Sequence, residues 1–537
     1  MINKIKKFFN NHFNLFVFLS LAVIIFSLYG KTLFFDWTYY DDDVLILDKQ
    51  DYLKFSNIKN IFFDTVFGKE QDRFLRPGLN ITFLVEKYLY GTTPTGYHLT
   101  NLVIHLLAVF SIFLFLTLKY DKYKTFVLCL LFAVHPAIVQ AVAWVPGRND
   151  SLLTLFLILS FYFFIKYFYK NNKIFFLLHL LCFILALLIK ETAVIAPIFF
   201  ICFAIANNMS CHPALDAGSC CSIKNKNSSF LKSSTLPLFL SSITYLYTSL
   251  IIVYLLYRKF ALSYHLETVA VISLLKNFVN SFPAVIKYIS NIFFPINLSV
   301  FPSGLENNYL LAFASILVFI LFFLISKKYN IKNIIFGFCW FLFFLFPTFL
   351  MPDNKFYDHR IYLPLVGILI VLSEFLTDKN LYSKKVFYLI VTVYIIFSCI
   401  SYVYTDKFKN KEIFWVTAVT CSPNSDIANA VVAGILTDNA IYAEAEQKYL
   451  KAIQLNKNSK HYVNLAVLYM KTKKIEQAKQ VLLQALSLND NNPLIYYNLA
   501  LIYRYEGNLT EAEKMKNLYI DSFNKTDKVS KFKNIEL

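Results

Sequence analysis

Charged residues are scarce in this sequence. Asp, Glu, Lys and Arg make up only 16% of its 537 residues, whereas a soluble globular domain carries about 25%. This deficit excludes a single water-soluble core of such a size. Glycine is also rare, with 12 residues against 57 phenylalanines, which excludes collagen-like and flexible-linker chains. The nine cysteines form no paired CxxC motifs, so neither a disulfide framework nor a standard zinc site is indicated.

Apolar residues, in contrast, make up 57% of the chain, and the mean hydropathy is +0.52. A membrane-spanning helix needs roughly 20 mostly apolar residues. Such runs predict an all-α, polytopic membrane helix bundle with about 11 spans. The spans lie at about residues 15–29, 98–118, 125–143, 152–168, 174–189, 193–206, 236–256, 309–326, 331–351, 362–376 and 385–404. The polar-interrupted stretch 270–294 is predicted to be an interfacial or re-entrant helix.

The net charge of +18 is carried largely by lysines beside the predicted spans. Lysines in short loops mark the cytoplasmic side of a membrane protein. Alternation of the spans places six sets of three there: Lys4, Lys6 and Lys7; Lys119, Lys122 and Lys124; Lys166, Lys170 and Lys173; Lys224, Lys226 and Lys232; Lys327, Lys328 and Lys332; and Lys379, Lys384 and Lys385. The pattern predicts a cytoplasmic N-terminus, an extracytoplasmic C-terminus and an inner (plasma) membrane, with no nucleic-acid partner. The first run lacks an A-x-A-like site and is predicted to remain as an uncleaved anchor.

Four regions are predicted: a cytoplasmic start and first span (1–29), a first extracytoplasmic loop (30–96), the multi-span body (97–404) and a helical tail (405–537). In the tail, Asn464–Leu465–Ala466 recurs 34 residues later as Asn498–Leu499–Ala500. A period of about 34 residues with small residues at the packing positions resembles the tetratricopeptide repeat. The alternative is an ordinary amphipathic helical tail.

The polar loop 207–235 has a Cys/His cluster without zinc-like spacing and is predicted to be a neutral insertion.

The first outer loop carries a run of acids, Asp41–Asp42–Asp43. A carboxylate beside the membrane can accept a proton from a hydroxyl that attacks an activated sugar. It can also hold a divalent cation that neutralises a phosphate leaving group. A solvated acidic turn is the third alternative, and the run alone does not decide between them.

Polar residues in the second predicted span share one helix face. His98, Asn101 and His105 follow i, i+3, i+7 spacing, which directs them toward protein rather than lipid. The two histidines lie about 10 Å apart along the helix, so interhelical hydrogen bonding is favoured over metal ligation. His135, which precedes Pro136, is predicted to give similar polar support.

Charged pairs recur at the predicted outer ends of the spans. Arg148 can grip a phosphate, while Asp150 can bind substrate or cap the helix. Lys190–Glu191 is either an ion-paired helix end or a phosphate-binding lysine held by its glutamate. His359–Arg360 offers a second arginine for a lipid phosphate, or a boundary charge. Because these clusters converge on one face, the sequence predicts one outward-facing site for an anionic, lipid-linked substrate.

The order of these motifs resembles that of the transmembrane-and-tetratricopeptide O-mannosyltransferase family, and of its bacterial members in particular. The motifs are Tyr40–Asp41–Asp42, the stripe of His98, Asn101 and His105, His135–Pro136 with Trp144, Gly147–Arg148–Asn149–Asp150, Lys190–Glu191, and His359–Arg360–Ile361–Tyr362–Leu363–Pro364. The resemblance implies the GT-C glycosyltransferase superfamily, a polyprenyl-phosphate sugar donor, and an acid of the first outer loop as catalytic base.

Carried onto this sequence, the resemblance makes Asp41 or Asp42 the base, and Arg148, Lys190 and Arg360 the ligands of the donor phosphate. One departure is Gln140, because relatives often have glutamate there. The expected activity is transfer of a sugar to a hydroxyl of a protein or glycan by direct, inverting displacement. The tail would dock the acceptor or a partner protein.

Two other functions compete with this expectation. One is a non-enzymatic membrane scaffold whose repeats recruit partners. The other is a transporter of lipid-linked sugars, which would need polar residues distributed across the membrane depth.

Overall fold

The computed structural model describes residues 12–67, 74–209, 236–262, 271–302, 309–326, 328–351, 356–376, 383–488 and 492–526. Within these ranges the chain is helical and contains no β-strand. It divides into two units. The membrane body comprises Met1–Val300 and Gly304–Lys411, and the tail comprises Phe301–Ser303 and Glu412–Leu537. The predicted all-α fold class is confirmed.

The membrane body consists of helices joined by short turns. Its α-helices are α1 (Phe13–Tyr29), α2 (Ile58–Phe63), α3 (Pro77–Tyr90), α4 (Pro94–Leu116), α5 (Lys122–Ala133), α6 (Val139–Ala143), α7 (Arg148–Lys170), α8 (Lys173–Ile189), α9 (Ala196–Met209), α10 (Leu236–Ala261), α11 (Val271–Ser281), α12 (Ala284–Phe293), α13 (Tyr309–Ile325), α14 (Ile331–Leu345), α15 (Tyr362–Phe375) and α16 (Lys384–Thr405). Short 3-10 turns include Gly30–Phe34, Pro136–Ile138, Val145–Gly147, Glu191–Ile195 and Asp358–Ile361, and Asp43–Leu47 is a π-helical turn.

Six helical segments of the described chain are long and apolar enough to cross a membrane. They are Phe13–Phe34, Pro94–Leu116, Val145–Lys170, Leu238–Ala261, Ile331–Leu350 and Lys384–Phe408. The pair Lys122–Ala133 and Pro136–Ala143, bent by 58°, would add a seventh. The remaining predicted spans fall on shorter apolar helices, so the number 11 stays a prediction. The stretch 270–294 contains two helices, α11 and α12, of 11 and 10 residues.

Several sequence predictions fall outside the described residues. They concern residues 210–235 of the predicted insertion, together with Lys4, Lys6, Lys7, Lys224, Lys226, Lys232, Lys327 and Lys379 of the predicted cytoplasmic sets.

A pair of glycines sets the packing of α14 against α15. A Cβ atom at Gly337 or Gly367 would collide with the backbone carbonyl of the other glycine. Small residues allow two membrane helices to approach this closely. One turn away, the buried Trp340 indole donates to the Leu363 carbonyl at 3.0 Å. These contacts hold the first turn of α15, which directly follows the turn that carries His359 and Arg360.

The tail consists of successive helices of similar length. They are α17 (Lys411–Cys421), α18 (Asp426–Asp438), α19 (Tyr442–Leu455), α20 (Ser459–Lys471), α21 (Ile475–Leu486), α22 (Pro493–Tyr505) and α23 (Leu509–Thr526). Their common core contains buried alanines at the recurring positions, among them Ala445, Ala452, Ala466, Ala478 and Ala485. Small side chains here let neighbouring helices pack closely, as the sequence period predicts.

Enlarging one of these alanines should weaken the tail. Ala452 in α19 is completely buried, whereas Ala443 in the same helix is exposed. We expect Ala452→Leu to destabilise the tail by about 1–3 kcal/mol through overpacking, and Ala443→Leu to have little effect. Urea-dependent proteolysis of the full chain, with cleavage mapped to residues 412–526, measures the difference. Equal stability of both variants would contradict the packing assigned to Ala452.

Candidate active site

Asp42 lies in the turn after α1 and is 1% exposed. Its Oδ2 atom accepts a hydrogen bond from the Thr38 backbone N–H at 2.8 Å and another from the Thr38 hydroxyl. Its Oδ1 atom is buried and accepts no hydrogen bond from the described residues. One oxygen of the carboxylate is therefore fixed, while the other has no hydrogen-bond partner among the described residues.

The local backbone conformation buries Asp42 more deeply than its two acidic neighbours. Tyr39 and Asp41 have positive φ values of 53° and 63°, a conformation that disfavours residues with a Cβ by roughly 1–2 kcal/mol each. Asp41 and Asp43 are half-buried, and Asp42 alone of the three is buried. The strained turn thus selects Asp42 from the predicted acidic run.

The environment of Asp42 suits proton transfer. Burial raises the pKa of its carboxyl to about 7, although the Thr38 hydrogen bonds oppose the shift and the charges of Asp41 and Asp43 add to it. A general base works best when its pKa lies near the operating pH. Asp42 can therefore accept a proton near neutral pH through its unpartnered oxygen.

Aromatic side chains connect the acidic turn to the turn that precedes α15. The Tyr40 ring stacks on Trp144 with centroids 5.1 Å apart, and the Trp144 indole donates to the Tyr40 carbonyl at 2.9 Å. The Tyr40 hydroxyl is hydrogen-bonded to the Tyr357 hydroxyl. Trp144 and Tyr357 both contact the His359 ring, with centroids 5.7 and 5.3 Å away. We call Tyr40, Trp144, Tyr357 and His359 the aromatic bridge.

Arg360 lies at the far end of this bridge. Its guanidinium carbon is 5.3 Å from the centre of the Tyr357 ring. Its Nη1 atom is buried and has no hydrogen-bond partner among the described residues. A guanidinium in this state can donate to an incoming anion without first breaking an internal hydrogen bond.

Two further cations stand near His359, each with a carboxylate partner. Lys190 contacts both oxygens of Asp150, at 2.7 and 2.8 Å, and Arg76 contacts Glu191 at 2.9 Å. The Oδ2 atom of Asp150 is also 3.8 Å from the Nε2 atom of His359. We call Arg76, Lys190 and Arg360 the cation cluster.

Burial and the neighbouring cations both act on the pKa of His359. Burial lowers the pKa well below its usual range, and the charges of Lys190, Arg360 and Arg76 lower it further. The imidazole is therefore neutral near pH 7. It can orient a ligand by hydrogen bonding, but it adds no charge of its own.

Arg148 is placed differently from the cation cluster. It is completely buried, forms an ion pair with Glu86, and donates to the Tyr97 carbonyl at 2.9 Å. These contacts tie α7 to α3 and α4. Its phosphate-binding role stays a prediction, and the geometry favours a role in positioning the helices.

The predicted charged pairs also combine in an unexpected way. Lys190 bonds to Asp150, 40 residues earlier, while its neighbour Glu191 bonds to Arg76. Asp150 is the third residue of α7, whose N-cap is Gly147 without a capping side chain. The sequence predicts either an ion-paired Lys190–Glu191 helix end or a phosphate-binding lysine held by its glutamate, and an Asp150 that binds substrate or caps the helix. The structure instead uses these side chains to join α7, α3 and the turn after α8.

Two of the three polar residues in the stripe of α4, Asn101 and His105, make the predicted interhelical hydrogen bonds. Asn101 donates to the carbonyls of Val142 and Trp144 at 3.1 and 3.2 Å. His105 Nδ1 is 2.6 Å from the Tyr362 hydroxyl. These bonds hold both Trp144 of the aromatic bridge and the first residue of α15.

The remaining polar residues stabilise neighbouring segments. His98 is buried, with its ring nearly perpendicular to that of Phe35 at a centroid distance of 6.1 Å, and the described residues do not include the interhelical hydrogen-bond partner predicted for it. His135 Nε2 is 3.1 Å from the Ile292 carbonyl, and Gln140 donates to the Val300 carbonyl at 3.1 Å. Gln140 thus holds a loop end and makes no contact that requires an acidic group.

The sequence patterns did not predict that Arg76 belongs to the site, or that buried contacts of Asp358 anchor the turn before α15. Arg76 immediately precedes Pro77, the first residue of α3, so a cation beside a helix-starting proline was the available signal. Asp358 accepts from Asn291 and from the Ser299 backbone N–H, both at 2.9 Å, and lies 3.4 Å from Lys287. This buried anchor fixes the turn that carries His359 and Arg360.

No group of three or more His, Cys, Asp or Glu side chains could hold a metal ion in the part of the chain that the structure describes. The acidic run does not supply such a set, because Asp42 alone turns inward. Among the described residues, the positive charges that act on His359 are those of Lys190, Arg360 and Arg76.

Comparisons with known proteins match both units. Residues 85–216 match the family model described as dolichyl-phosphate-mannose-protein mannosyltransferase. Residues 460–492 and 481–514 match tetratricopeptide-repeat models. The repeats predicted in the tail are therefore confirmed. The first match includes Arg148, Asp150 and Lys190, whereas Asp42 and Arg360 lie outside it.

The chain is also similar to curated proteins named as mannosyltransferases. It is 33% identical over 148 residues to human Protein O-mannosyl-transferase TMTC2, covering 26% of this chain and 18% of the relative. It is 30% identical over 155 residues to human TMTC4, covering 25% and 21%, and 33% identical over 122 residues to Drosophila melanogaster Tmtc1, covering 22% and 14%. The matched segments span about a fifth of these relatives.

The family match and the apolar helices together make this chain a multi-pass membrane protein. The resemblance seen in the sequence is confirmed: the chain is similar to the transmembrane-and-tetratricopeptide O-mannosyltransferases, with a segment of its membrane body that matches the protein-mannosyltransferase family model and tetratricopeptide repeats in its tail.

Proposed function

We propose that the protein is a glycosyltransferase that moves a sugar from a polyprenyl-phosphate donor to a hydroxyl of a protein or glycan. The observation that carries this proposal is the buried Asp42 carboxylate, which has one unpartnered oxygen and is linked by the aromatic bridge to a cluster of cations. Direct sugar transfer needs a base for the acceptor hydroxyl and a group that binds the leaving phosphate.

The reaction is a single displacement at the anomeric carbon. The acceptor oxygen attacks that carbon while its proton moves to Asp42 Oδ1. The bond between the anomeric carbon and the phosphate oxygen breaks, and its electron pair leaves with the polyprenyl phosphate. Attack from the face opposite to the leaving group inverts the anomeric configuration. The donor supplies the energy, so the step needs no oxidant or reductant.

The cation cluster stabilises the leaving phosphate. Arg360 offers a buried donor without a hydrogen-bond partner, whereas Lys190 and Arg76 are partly neutralised by Asp150 and Glu191. Preorganised positive charge that is aimed at a developing anion lowers the barrier, because it needs no rearrangement during the reaction. Arg360 is therefore the principal phosphate ligand in this proposal.

The tail and the sidedness of the membrane complete the proposal. Tetratricopeptide repeats commonly present extended binding surfaces, which suits docking of a protein acceptor or a partner. The lysine distribution favours an extracytoplasmic position for the site and the tail in an inner or plasma membrane.

The proposal is tested by reconstituting the full chain in vesicles with a radiolabelled polyprenyl-phosphate hexose and protein extracted from a strain that lacks the chain. Label that becomes bound to protein, with release of polyprenyl phosphate, is the expected result. Movement of intact donor between leaflets without release would instead identify a transporter. If the donor is neither moved nor used, and partner proteins are retained on the tail, the protein is a scaffold.

The pH dependence of transfer gives a second test. Asp42 acts as a base only when ionised, and burial raises its pKa to about 7. We therefore expect kcat/KM to fall about tenfold per pH unit below pH 7 and to level off above it. Because the Asp43 charge helps to raise this pKa, Asp43→Asn should move the acidic limb to lower pH. A wild-type limb centred near 3.9, the ordinary value for aspartate, would contradict the assignment of Asp42.

A further inference from the structure

A cavity of about 310 Å³ lies at the end of the membrane body remote from Asp42. It is lined by the last turns of α4 and α7, the end of α9 and the first turn of α14. The helices α4 and α7 begin beside the aromatic bridge and contain 23 residues each. Their far ends are therefore about 34 Å from the candidate active site, so this cavity is separate from it.

The inner wall of the cavity is apolar. Phe161, Ile165 and Ile370 line it and are buried, and Phe115 and Phe336 add aromatic surface. A small hydrophilic anion would leave this wall uncovered. A hydrocarbon chain would cover it, with the favourable free energy that accompanies burial of apolar surface.

The mouth of the cavity is cationic. Lys119 and Lys332 line it and are both exposed. The carboxylate nearby, Glu374, is bound by the Tyr120 hydroxyl at 2.8 Å, the Asn333 amide at 2.6 Å and the Asn330 backbone N–H at 2.9 Å. These donors are neutral, so Glu374 keeps its negative charge while it holds the first turn of α14. Together with Lys119 and Lys332 it leaves the mouth with a net charge of +1.

The same end of the bundle carries further lysines at the helix termini. Lys122 and Lys124 begin α5, and Lys166 and Lys170 lie in the last turns of α7. A membrane leaflet rich in anionic lipid attracts such segments, with a contribution from each basic residue near the surface. The charge of this end therefore complements an anionic headgroup and gives no reason to prefer a zwitterionic one.

We propose that this cavity is a binding site for one anionic phospholipid. The lipid phosphate lies at the mouth between Lys119 and Lys332, and one acyl chain extends along the wall formed by Phe161 and Ile370. This lipid is bound at the opposite end of the bundle from the cation cluster, and its binding does not depend on the proposed transferase activity.

The test measures lipid retention by the purified full chain. Protein is equilibrated in detergent with equal amounts of phosphatidylglycerol and phosphatidylcholine of identical acyl chains, and native mass spectrometry counts the bound lipids. Three variants are compared with the wild type: the double variant Lys119→Gln/Lys332→Gln, the variant Ala206→Trp, which fills the cavity from an exposed lining position, and the control Lys384→Gln/Lys385→Gln, which removes two exposed lysines from the start of α16.

We expect one phosphatidylglycerol molecule to remain bound to the wild type and to the control, in clear excess over phosphatidylcholine. The Lys119/Lys332 variant should bind it roughly 30-fold more weakly. Ala206→Trp should abolish retention although it keeps both lysines. Equal retention of the two lipids, equal loss in the control, or full retention by Ala206→Trp would each overturn the proposal. Since Ala206 is exposed, the last variant gives a result even if the double variant fails to fold.

Discussion

Replacing Asp42 with asparagine should lower the rate of sugar transfer by about 10²–10⁴-fold, the usual contribution of a general base. Asparagine has nearly the same shape and keeps an oxygen that can accept from the Thr38 backbone N–H, as Oδ2 does in the wild type. It cannot take the proton of the acceptor hydroxyl. The initial rate in the vesicle assay, at saturating donor and acceptor, measures the loss.

The neighbouring carboxylate supplies a matched control. Asp43→Asn removes the same charge from the adjacent residue, but Asp43 is half-buried and Asp42 is buried. We expect the Asp43 variant to keep a rate close to that of the wild type at pH 8, where its only expected effect, a lower pKa of Asp42, no longer matters. If the two variants lose activity equally, or if Asp42→Asn transfers sugar at the wild-type rate, the base is a different group.

Sequence patterns were sufficient where the structure depends on local periodicity. The alanines of the tail recur every 33 or 34 residues, and the helices that carry them follow the same period. The long apolar runs likewise predicted the helices of the membrane body, because a spanning segment must satisfy its backbone hydrogen bonds internally. The number of runs that cross the membrane depends on their depth and tilt, which composition does not determine.

The candidate site was located from the sequence only in outline. The run Asp41–Asp42–Asp43 offered three equivalent acids, and the choice of Asp42 depends on left-handed backbone conformations at Tyr39 and Asp41. The ion-pair partners were also not predictable from the sequence, because Lys190 pairs with Asp150, which lies 40 residues earlier in the chain. Ion pairs between distant segments follow from helix packing, and single-sequence spacing carries no record of that packing.

The contrast between two arginines illustrates the same limit. Arg148 begins an apolar helix and Arg360 precedes one, so the sequence predicts the same phosphate-binding role for both. In the structure Arg148 is paired with a buried carboxylate, Glu86, although its Nε atom has no hydrogen-bond partner among the described residues. Arg360 lies over the Tyr357 ring with a buried nitrogen that has no hydrogen-bond partner among the described residues. Burial without a partner is unfavourable for a guanidinium, and this argues that an anion completes the site around Arg360.

Arg360→Ala should therefore reduce transfer by about 10²–10³-fold, as expected when one preorganised donor to a developing anion is removed. Arg360→Lys keeps the charge but loses the planar fork that binds a phosphate through two parallel hydrogen bonds, so an intermediate rate is expected. The rate is measured at varied donor concentration and saturating acceptor. We expect Arg360→Ala to have a lower kcat and to be inhibited less strongly by added polyprenyl phosphate than the wild type.

Rescue by a small molecule distinguishes loss of a phosphate ligand from a structural defect. The side chain of Arg360 already lies beside the Tyr357 ring, so its truncation leaves a space that free guanidinium can enter. Millimolar guanidinium should restore part of the activity of Arg360→Ala and none of the activity of Asp42→Asn, since the latter lacks a base and not a cation. If the Arg360→Ala variant is as sensitive to polyprenyl phosphate as the wild type and guanidinium has no effect, Arg360 does not bind the donor phosphate, and the cation must come from Lys190 or Arg76.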